Sequence, residues 1–406
     1  MASGQPAETT SLEPITSRSL SGHIGHLSPA QQQALADFKQ QLEQKGYYRP
    51  SAEGKEASHD DNTLVRFLRA RKFDLAGAIS QFTTSEDWRK TQNVDDLYDH
   101  FPLEEYAQSA ALYTQWTGRR DRSGLPVYVF KVSALSKEKT DEYIKAGAER
   151  LEQRMFVLFE HMLQFVLPFC NAVPHAHQET SISGCITIVD VSGVSLRRFW
   201  QLKDHMQRAS VLASARYPET LGAIFLVGAP GFFSTVWSWV KKWFDPGTVE
   251  KIHILPSSPS AVRDILTTHL PASSIPKVYG GELDWEFGAP GPSLGEEEKK
   301  VLGREEVPAG PVRWDAREKR LRVVGKGRAD SEIVDDSGAS AELGEAKDAG
   351  APGAAEARPE PVEGAATNGA TRVDAETGTK ETFVTPPTSP SELVAETGLE
   401  KRLEAL

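Results

Sequence analysis

The stretch that decides the fold is LGAIFLVGAPGFFSTVWSWVKKWFDPGTVEKIHIL, residues 221–255. Its first part, residues 221–240, carries no charge, so length alone would admit a transmembrane helix. The cluster Gly228-Ala229-Pro230-Gly231 argues against one helix, because glycine and proline both interrupt helical backbone. The pattern therefore predicts a buried strand over 223–227, a turn, a helix over 232–244 and a second strand over 252–255.

The predicted helix over 232–244 is apolar on every side, so it is either fully buried or meets an apolar phase on its outer face. Two interpretations stay open: a core strand followed by a core helix, or a lid that touches a membrane. Three tryptophans in seven residues favour the lid, and the neighbouring lysines could hold their charges at a phosphate layer. The candidate gate residues are Phe232, Phe233, Val236, Trp237, Trp239, Val240, Lys241, Lys242, Trp243 and Phe244.

Strands alternate with helices on both sides of this stretch. Apolar runs at 126–130 and 186–191 predict short buried strands, and apolar stripes over 151–166 and 199–213 predict helices. This alternation indicates an α/β fold, an αβα domain around a mostly parallel sheet.

The residues before position 100 predict a small helical bundle. Ser28-Pro29-Ala30-Gln31 combines an N-cap, a proline at the first helical position and a capping-box glutamine. Asp74 can cap a further helix, whose apolar residues recur at helical spacing. We therefore expect a flexible N-terminus over 1–27 and a helical domain over 28–100.

The acidity of the chain is concentrated at its end. The formal net charge is −11, and residues 329–406 hold 17 acidic against 6 basic residues, while residues 1–328 balance 40 with 40. We predict a disordered acidic tail over 329–406 and an extension over 286–328 that docks on the folded domain. The neutral body gives no case for nucleic-acid binding. The first residues lack the segments of a secretory signal, and two cysteines suit a reducing cytosol.

The sequence offers no catalytic constellation. Gly228-Ala-Pro-Gly matches neither a P-loop nor a dinucleotide fingerprint. His175 and His177, near Cys170, could be drawn as a metal site, but alternate residues of an extended loop point to opposite sides. Asp190 and Glu219 form a carboxylate pair only if the fold brings them together. We therefore expect neither an enzyme nor a metal site.

Five motifs resemble the CRAL-TRIO lipid-binding family, most of all its fungal phosphatidylinositol/phosphatidylcholine-transfer branch. They are DNTLVRFLRARKFD (61–74), DRSGLPVYVF (121–130), ITIVDVSGV (186–194), residues 217–255 and LPASSIPKVYGG (270–281). The resemblance spans roughly residues 28–285. It implies a lipid-binding domain over 101–285, whose sheet floors an apolar pocket for one phospholipid beneath a gating helix. The phospholipid is cargo, so no cofactor is implied.

The resemblance also implies site residues. Family members that bind phosphatidylinositol surround its headgroup with an Arg-Lys pair, a Glu, a Thr and a Lys, which match Arg71, Lys72, Glu219, Thr248 and Lys251. Cations satisfy the phosphodiester, and a carboxylate and a hydroxyl can bond the ring hydroxyls. A second-lipid headgroup site falls on Tyr128, Cys185 and Thr187. The family's serine is Cys185 here, which removes a hydroxyl and weakens the case for phosphatidylcholine; the residue after the glutamate, often Arg, is Thr220.

The resemblance implies a monomeric, cytoplasmic lipid-transfer protein that meets Golgi or endosomal membranes peripherally and transiently. Its expected partners are phosphatidylinositol, a second lipid, the membrane surface and a phosphoinositide kinase. The alternative is a module without transfer activity whose pocket holds another hydrophobic ligand, such as a sterol or a retinoid-like or haem-like molecule, for sensing or scaffolding. The matches at Glu219 and Lys251 favour transfer, and Cys185 keeps the alternative open.

Overall fold

The computed structural model describes residues 20–327 except residues 54, 137–144 and 245, and it leaves out the side chains of Asp204 and Trp243. The described residues all belong to one compact unit, Met1–Val334. The predicted acidic tail (329–406) and residues 1–19 of the predicted flexible N-terminus lie outside the described residues.

Helices form the first part of the described chain. They are α1 (Pro29–Gln44), α2 (Asp61–Ala70), α3 (Leu75–Thr91), α4 (Val94–Asp99) and α5 (Leu103–Ala110). The predicted capping box starts α1: Ser28 Oγ accepts the Gln31 N–H at 3.3 Å, and Gln31 Oε1 accepts the Ser28 N–H at 2.9 Å. The Asp74 carboxylate likewise caps α3. The first three helices pack around apolar residues such as Phe38 and Phe82, which are fully buried.

A five-stranded sheet follows, in the order β1-β2-β3-β4-β5. Its strands are β1 (Gln115–Arg120), β2 (Pro126–Lys131), β3 (Cys185–Asp190), β4 (Leu221–Val227) and β5 (Ile252–Ile254). β1 pairs antiparallel with β2, and the remaining neighbours pair in parallel. The predicted α/β class with a mostly parallel sheet is confirmed, and β1 is a strand that the sequence analysis missed.

Helices connect the strands and cover the sheet. They are α6 (Ala148–His161), which continues through a π-helical turn into α7 (Leu167–Ala172), α8 (Leu196–Arg216), α9 (Phe233–Val240), α10 (Pro246–Glu250), α11 (Pro259–His269) and α12 (Glu296–Leu302). The helix predicted over 232–244 is divided: α9 ends at Val240, and Lys241–Trp243 form a 3₁₀ turn.

The two faces of the sheet are covered unequally. One face, with Val129, Ile188 and Phe225, packs against α11 and is buried to 1 % exposure or less. The opposite face, which we call the gate face, consists of Tyr128, Phe130, Cys185, Thr187, Val189, Ile224 and Leu226 and packs against α6–α7, α8 and α9. Phe130, Val189 and Ile224 keep accessible surface although they lie on interior strands. The space above the middle of the gate face is therefore only partly filled.

One continuous helical segment, residues 148–172, is long and apolar enough to cross a membrane by length and composition. Its apolar window is 56 % buried, and Glu160 within the segment is fully buried and paired with Arg89. The core helix of a soluble protein passes the same test, and the packing of residues 148–172 is that of a core helix. The uncharged stretch 221–240 is divided between β4 and α9.

A hairpin of β6 (Val312–Asp315) and β7 (Arg320–Val323) ends the described chain. The Trp314 ring packs on Phe169 of α7, with centroids 5.1 Å apart, and Tyr98 donates a hydrogen bond to the Val312 carbonyl at 2.7 Å. The hairpin therefore contacts both the sheet domain and α4.

We predict that the folded state loses stability as the pH falls from about 6.5. Burial lowers the pKa of His161 to about 3, and burial with Arg208 nearby lowers that of His205 to about 4. Below pH 6.5 these histidines bind protons in the unfolded chain, whereas in the folded protein they stay neutral until the pH approaches their lowered pKa values. Unfolding therefore becomes more favourable as the pH falls. Each histidine contributes at most about 1.4 kcal/mol per pH unit. Urea unfolding at pH 5, 6, 7 and 8 measures the slope.

His161→Phe is the matched variant, because it keeps an aromatic ring between Tyr98 and Phe165 and removes the titration. Its free energy of unfolding should depend less steeply on pH than that of the wild type. Equal slopes in the two proteins would contradict the assignment to His161.

Candidate functional site

The loop between α8 and β4 holds Glu219 in an unusual backbone conformation. Its φ is +58°, a left-handed value that costs a non-glycine residue about 1–3 kcal/mol. Hydrogen bonds fix the loop on both sides: Arg66 Nη1 donates to the Pro218 carbonyl at 3.3 Å, and Thr220 Oγ1 donates to the Tyr217 carbonyl at 2.9 Å. The direction of the Glu219 carboxylate is therefore set by its surroundings.

That carboxylate is the centre of a cluster of charged side chains. Glu219 Oε2 lies 2.9 Å from Arg69 Nη2 and 3.4 Å from Lys251 Nζ, and all three side chains are between 18 and 28 % exposed. Two cations share one carboxylate, so the formal charge of these three groups is +1. Burial lowers the pKa of Arg69, and Glu219 opposes that shift.

The cluster lies at one edge of the sheet. Glu219 lies two residues before β4, Lys251 directly precedes β5, and Ser183 lies two residues before β3. Because the amino ends of parallel strands meet at one edge, these side chains converge although they are far apart in sequence. The predicted pair Glu219 and Lys251 is thus brought together.

The other three predicted headgroup residues differ from Glu219 and Lys251 in their surroundings. Arg71 and Lys72 are exposed at the end of α2, two and three positions after Arg69, and neither is ion-paired to Glu219 within the described part of the chain. Thr248 lies on α10, and its carbonyl accepts the Lys251 N–H at 3.1 Å. The structure therefore anchors Lys251 through Thr248 and leaves Arg71 and Lys72 on the surface.

The sequence analysis missed three members of the cluster. Arg69 contacts Glu219 directly, and His23 Nδ1 lies 3.4 Å from both Arg69 Nη1 and Ser183 Oγ. Burial, together with Arg69 and Lys251, lowers the pKa of His23 to about 3, so its ring is neutral near pH 7. Helical spacing could have indicated that Arg69 shares the end of α2 with Arg71, but no local signal links His23 or Ser183 to the site.

Tyr128, Cys185 and Thr187, the predicted second-lipid residues, meet on the gate face. Tyr128 and Thr187 are register partners on β2 and β3, and Cys185 Sγ lies 3.8 Å from Thr187 Oγ1. All three are buried, and the Tyr128 hydroxyl has no hydrogen-bond partner among the described residues. A buried hydroxyl without a partner is unfavourable by about 1–3 kcal/mol, which an acceptor on a ligand would relieve.

The predicted gate residues lie above the other end of the gate face. Phe233, Val236 and Val240 form the buried side of α9 and pack with Phe199 and Leu202 of α8. Phe232, Trp237, Trp239 and Phe244 are half-buried, and Lys241 and Lys242 are exposed. The Trp239 ring meets the ring of Trp200 on α8, with centroids 5.0 Å apart. α9 thus has an apolar inner side, and two exposed lysines lie on the turn that follows it; the Trp243 side chain is outside the described part.

The remaining sequence candidates form no second site. Asp190 ends β3 while Glu219 precedes β4, so the fold does not bring these two carboxylates together: they lie at opposite ends of the strands. Asp190 instead accepts hydrogen bonds from the Ser192 N–H and the Tyr279 hydroxyl. His177 contacts Glu179, and the described residues include no group of three or more His, Cys, Asp or Glu suited to a metal.

A groove of about 370 Å³ lies apart from the cluster and is polar. Arg120, in its wall, is paired with Glu297 and Glu298. This groove is therefore unsuited to acyl chains.

Comparisons with known proteins match both the helical part of this chain and its sheet domain. The model of the CRAL/TRIO domain matches residues 112–281, and that of the CRAL/TRIO N-terminal domain matches residues 34–84. The chain is 36 % identical over 268 residues to the SEC14 cytosolic factor of Kluyveromyces lactis, covering 66 % of this chain and 83 % of that protein.

Two further relatives are similar to the same region. The Sec14 cytosolic factor of Schizosaccharomyces pombe is 33 % identical over 267 residues, 66 % of this chain and 87 % of that protein. The phosphatidylinositol/phosphatidylcholine transfer protein SFH7 of Arabidopsis thaliana is 32 % identical over 225 residues, 55 % of this chain and 40 % of that protein.

We predict that both thiols of the folded protein resist modification. Cys170 is fully buried, and burial raises the pKa of Cys185 to about 11, so the reactive thiolate is about 100-fold scarcer than for an ordinary thiol. Ellman's reagent at pH 8 should react quickly with neither thiol in native buffer and with both in guanidinium. The Cys170→Ala variant isolates Cys185, and fast reaction of that variant in native buffer would contradict the burial of the Cys185 thiol.

Proposed function

We propose that this chain, which belongs to the CRAL/TRIO family, binds one phosphatidylinositol above the gate face and transfers it between membranes. The observation that carries the proposal is the meeting of Glu219 and Lys251, 3.4 Å apart and joined by Arg69. Glu219 and Lys251 are the positions at which the family resemblance expects the inositol headgroup.

The charge of the cluster suits that headgroup. Arg69 and Lys251 carry two positive charges against the one negative charge of Glu219, so binding one phosphodiester anion makes the cluster neutral. Charge-assisted hydrogen bonds to phosphate are roughly twice as strong as neutral ones. The Glu219 carboxylate accepts hydrogen bonds only, which suits the hydroxyls of an inositol ring.

The gate face suits the acyl chains. Phe130, Val189 and Ile224 offer apolar surface that the protein itself covers only in part. Burying acyl chains gains about 0.8 kcal/mol per methylene in either a bilayer or an apolar pocket. Moving the lipid from one to the other is therefore nearly isoenergetic, and a shielded path suffices without nucleotide hydrolysis or any chemical step on the lipid.

The relatives support the same function. The Arabidopsis relative carries phosphatidylinositol/phosphatidylcholine transfer in its name, and the two fungal relatives are called cytosolic factors. We extend the proposal to a monomeric cytosolic protein that visits Golgi or endosomal membranes and supplies phosphatidylinositol to a phosphoinositide kinase. The second-lipid site at Tyr128, Cys185 and Thr187 belongs to the same proposal.

Removing either predicted headgroup residue should abolish most phosphatidylinositol transfer. A hydrogen bond to a charged group contributes about 1.5–3 kcal/mol, so Lys251→Ala and Glu219→Ala should each lower the transfer rate between vesicles by about 10- to 100-fold. The thermal midpoint should change little, because both side chains reach the protein surface.

Lys277→Ala is the matched control, since Lys277 is a lysine of the same domain paired with Asp284 on the surface. It should transfer phosphatidylinositol at the wild-type rate, and any transfer of choline lipid should survive in all three variants. Wild-type transfer of phosphatidylinositol by both cluster variants would refute the headgroup assignment.

The gate should respond to charge at its tryptophans. Indoles favour the headgroup layer of a membrane, and Lys241 and Lys242 add about 1 kcal/mol each at an anionic surface. The test replaces one tryptophan at a time, in the variants Trp237→Glu, Trp239→Glu and Trp243→Glu. Replacing a ring that faces outward should slow exchange with anionic vesicles. Replacing a ring that faces inward should weaken retention of bound lipid. High salt should reduce the lysine contribution.

Ser260→Glu is the control for this series, because Ser260 is an exposed residue of α11, outside residues 232–244, and the substitution adds the same charge without removing an indole. Exchange by Ser260→Glu should stay within about twofold of wild type. If all three tryptophan variants matched the wild type in exchange and in retention, residues 232–244 would not be a membrane-contacting gate.

A further inference from the structure

The residues ahead of α1 pack against the charged cluster as a strap, which we define as residues 20–27. Turns shape it: the His23 N–H donates to the Leu20 carbonyl at 3.0 Å, and the His26 N–H donates to the His23 carbonyl at 2.9 Å. Gly25, with φ +87°, lies so close to the Glu179 carbonyl that a Cβ would stand 2.5 Å from its oxygen. His26 Nε2 also lies 3.2 Å from Glu179 Oε1.

The strap carries His23 into the cluster as a hydrogen-bond acceptor. The Arg69 guanidinium only donates, and it approaches His23 Nδ1 at 3.4 Å. The Ser183 hydroxyl, which is buried, reaches the same nitrogen at 3.4 Å. Nδ1 is therefore the acceptor of the neutral ring, and its proton resides on Nε2.

Two acceptors thus occupy the donors of the cluster. His23 Nδ1 accepts from Arg69 and Ser183, while Glu219 Oε2 is paired with Arg69 and Lys251. Three of these four contacts are 3.4 Å long, beyond the usual range for N–H···O bonds. A phosphodiester has two non-bridging oxygens that share one negative charge, and these are stronger acceptors than a neutral imidazole nitrogen.

We infer that the phosphodiester of the headgroup binds between Arg69, Ser183 and Lys251, in the places that His23 Nδ1 and the Glu219 oxygen hold here, and that the strap moves outward to admit it. The inference rests on the proposed function and adds two binding residues, Arg69 and Ser183, and one competitor, His23. Glu219, once released from the two cations, is free to accept the inositol hydroxyls.

The test measures vesicle-to-vesicle transfer of phosphatidylinositol by variants of the full chain. Arg69→Gln should lower the rate by about 10- to 100-fold and Ser183→Ala by about three- to tenfold. His23→Ala should raise the rate of phosphatidylinositol uptake by a few-fold, because the competing acceptor is gone. His100→Ala should behave as the wild type, because His100 is exposed and, among the described residues, its ring has a polar contact with Asp96 alone.

A double-mutant cycle separates competition from loosening of the strap. If His23 competes through Arg69, His23→Ala should have little effect when Arg69→Gln is already present. An equal effect of His23→Ala in both backgrounds, or a loss of uptake on His23→Ala alone, would overturn the inference. Should Arg69→Gln unfold, Arg69→Lys keeps the charge and removes the forked donor, and transfer should still fall.

Soluble probes distinguish a lipid headgroup from free phosphate. Glycerophosphoinositol should inhibit transfer by the wild type, and less so by Arg69→Gln, whereas inorganic phosphate at the same concentration should inhibit weakly. Equal inhibition by both probes, with lipid transfer unchanged in Arg69→Gln, would make this a free-phosphate site and overturn the inference. A wild type without phosphatidylinositol transfer would instead refute the proposed function itself.

Discussion

The buried ion pair between Arg89 and Glu160 joins the two parts of this fold. Glu160 is fully buried on α6, and it accepts hydrogen bonds from Arg89 Nη1 at 2.6 Å, from the Tyr217 hydroxyl at 2.8 Å and from Gln164 at 3.1 Å. Burial alone would lower the pKa of Arg89, but the Glu160 carboxylate raises it above its ordinary value, so the cation persists. Breaking a buried pair of this kind is destabilising by about 3–5 kcal/mol, because one charge is left without a partner. The helical part therefore cannot separate from the sheet domain without a large loss of stability.

This pair also explains how residues outside the sheet determine the site. Tyr217, bonded to Glu160, begins the loop that carries Glu219, and Arg66 of α2 holds the next residue through the Pro218 carbonyl. Arg69, one helical turn after Arg66, then reaches the Glu219 carboxylate. The backbone on either side of Glu219 is thus held from α2 and α6 as well as from the sheet, where the Cys185 N–H donates to the Thr220 carbonyl at 3.0 Å. A chain reduced to the sheet and its crossing helices would keep Lys251 but lose Arg66 and Arg69 of α2.

The sequence predicted the elements better than their long-range partners. Apolar periodicity found β2, β3, β4 and β5 and the longer helices α1, α3, α6 and α8, and the capping box at Ser28 was identified correctly, because these features depend on residues within a few positions of one another. The choice of Glu219 and Lys251 as headgroup residues followed from family resemblance, and their ion pair was seen first in the structure. Arg69, His23 and Ser183 were missed as members of the site because His23 and Ser183 are 160 residues apart and meet only through the tertiary fold. Glu160 gave no sequence signal either: its partner Arg89 is 71 residues away. β1 was not predicted because its sequence, QWTGRR, lacks an apolar run.

The parallel sheet separates the headgroup cluster from the gate. Glu219 and Lys251 stand before the amino ends of β4 and β5, whereas α9 follows the carboxyl end of β4. β4 has seven residues, so at about 3.3 Å per residue the two ends are roughly 20 Å apart. On the proposed function, the acyl chains lie along the gate face between these ends, where Phe130 and Val189 remain partly accessible. Movement of α9 would then uncover the chains while Arg69 and Lys251 still held the phosphate. Headgroup affinity and gate opening would act at different ends of one lipid, so a substitution at either end should change one step of transfer and leave the other intact.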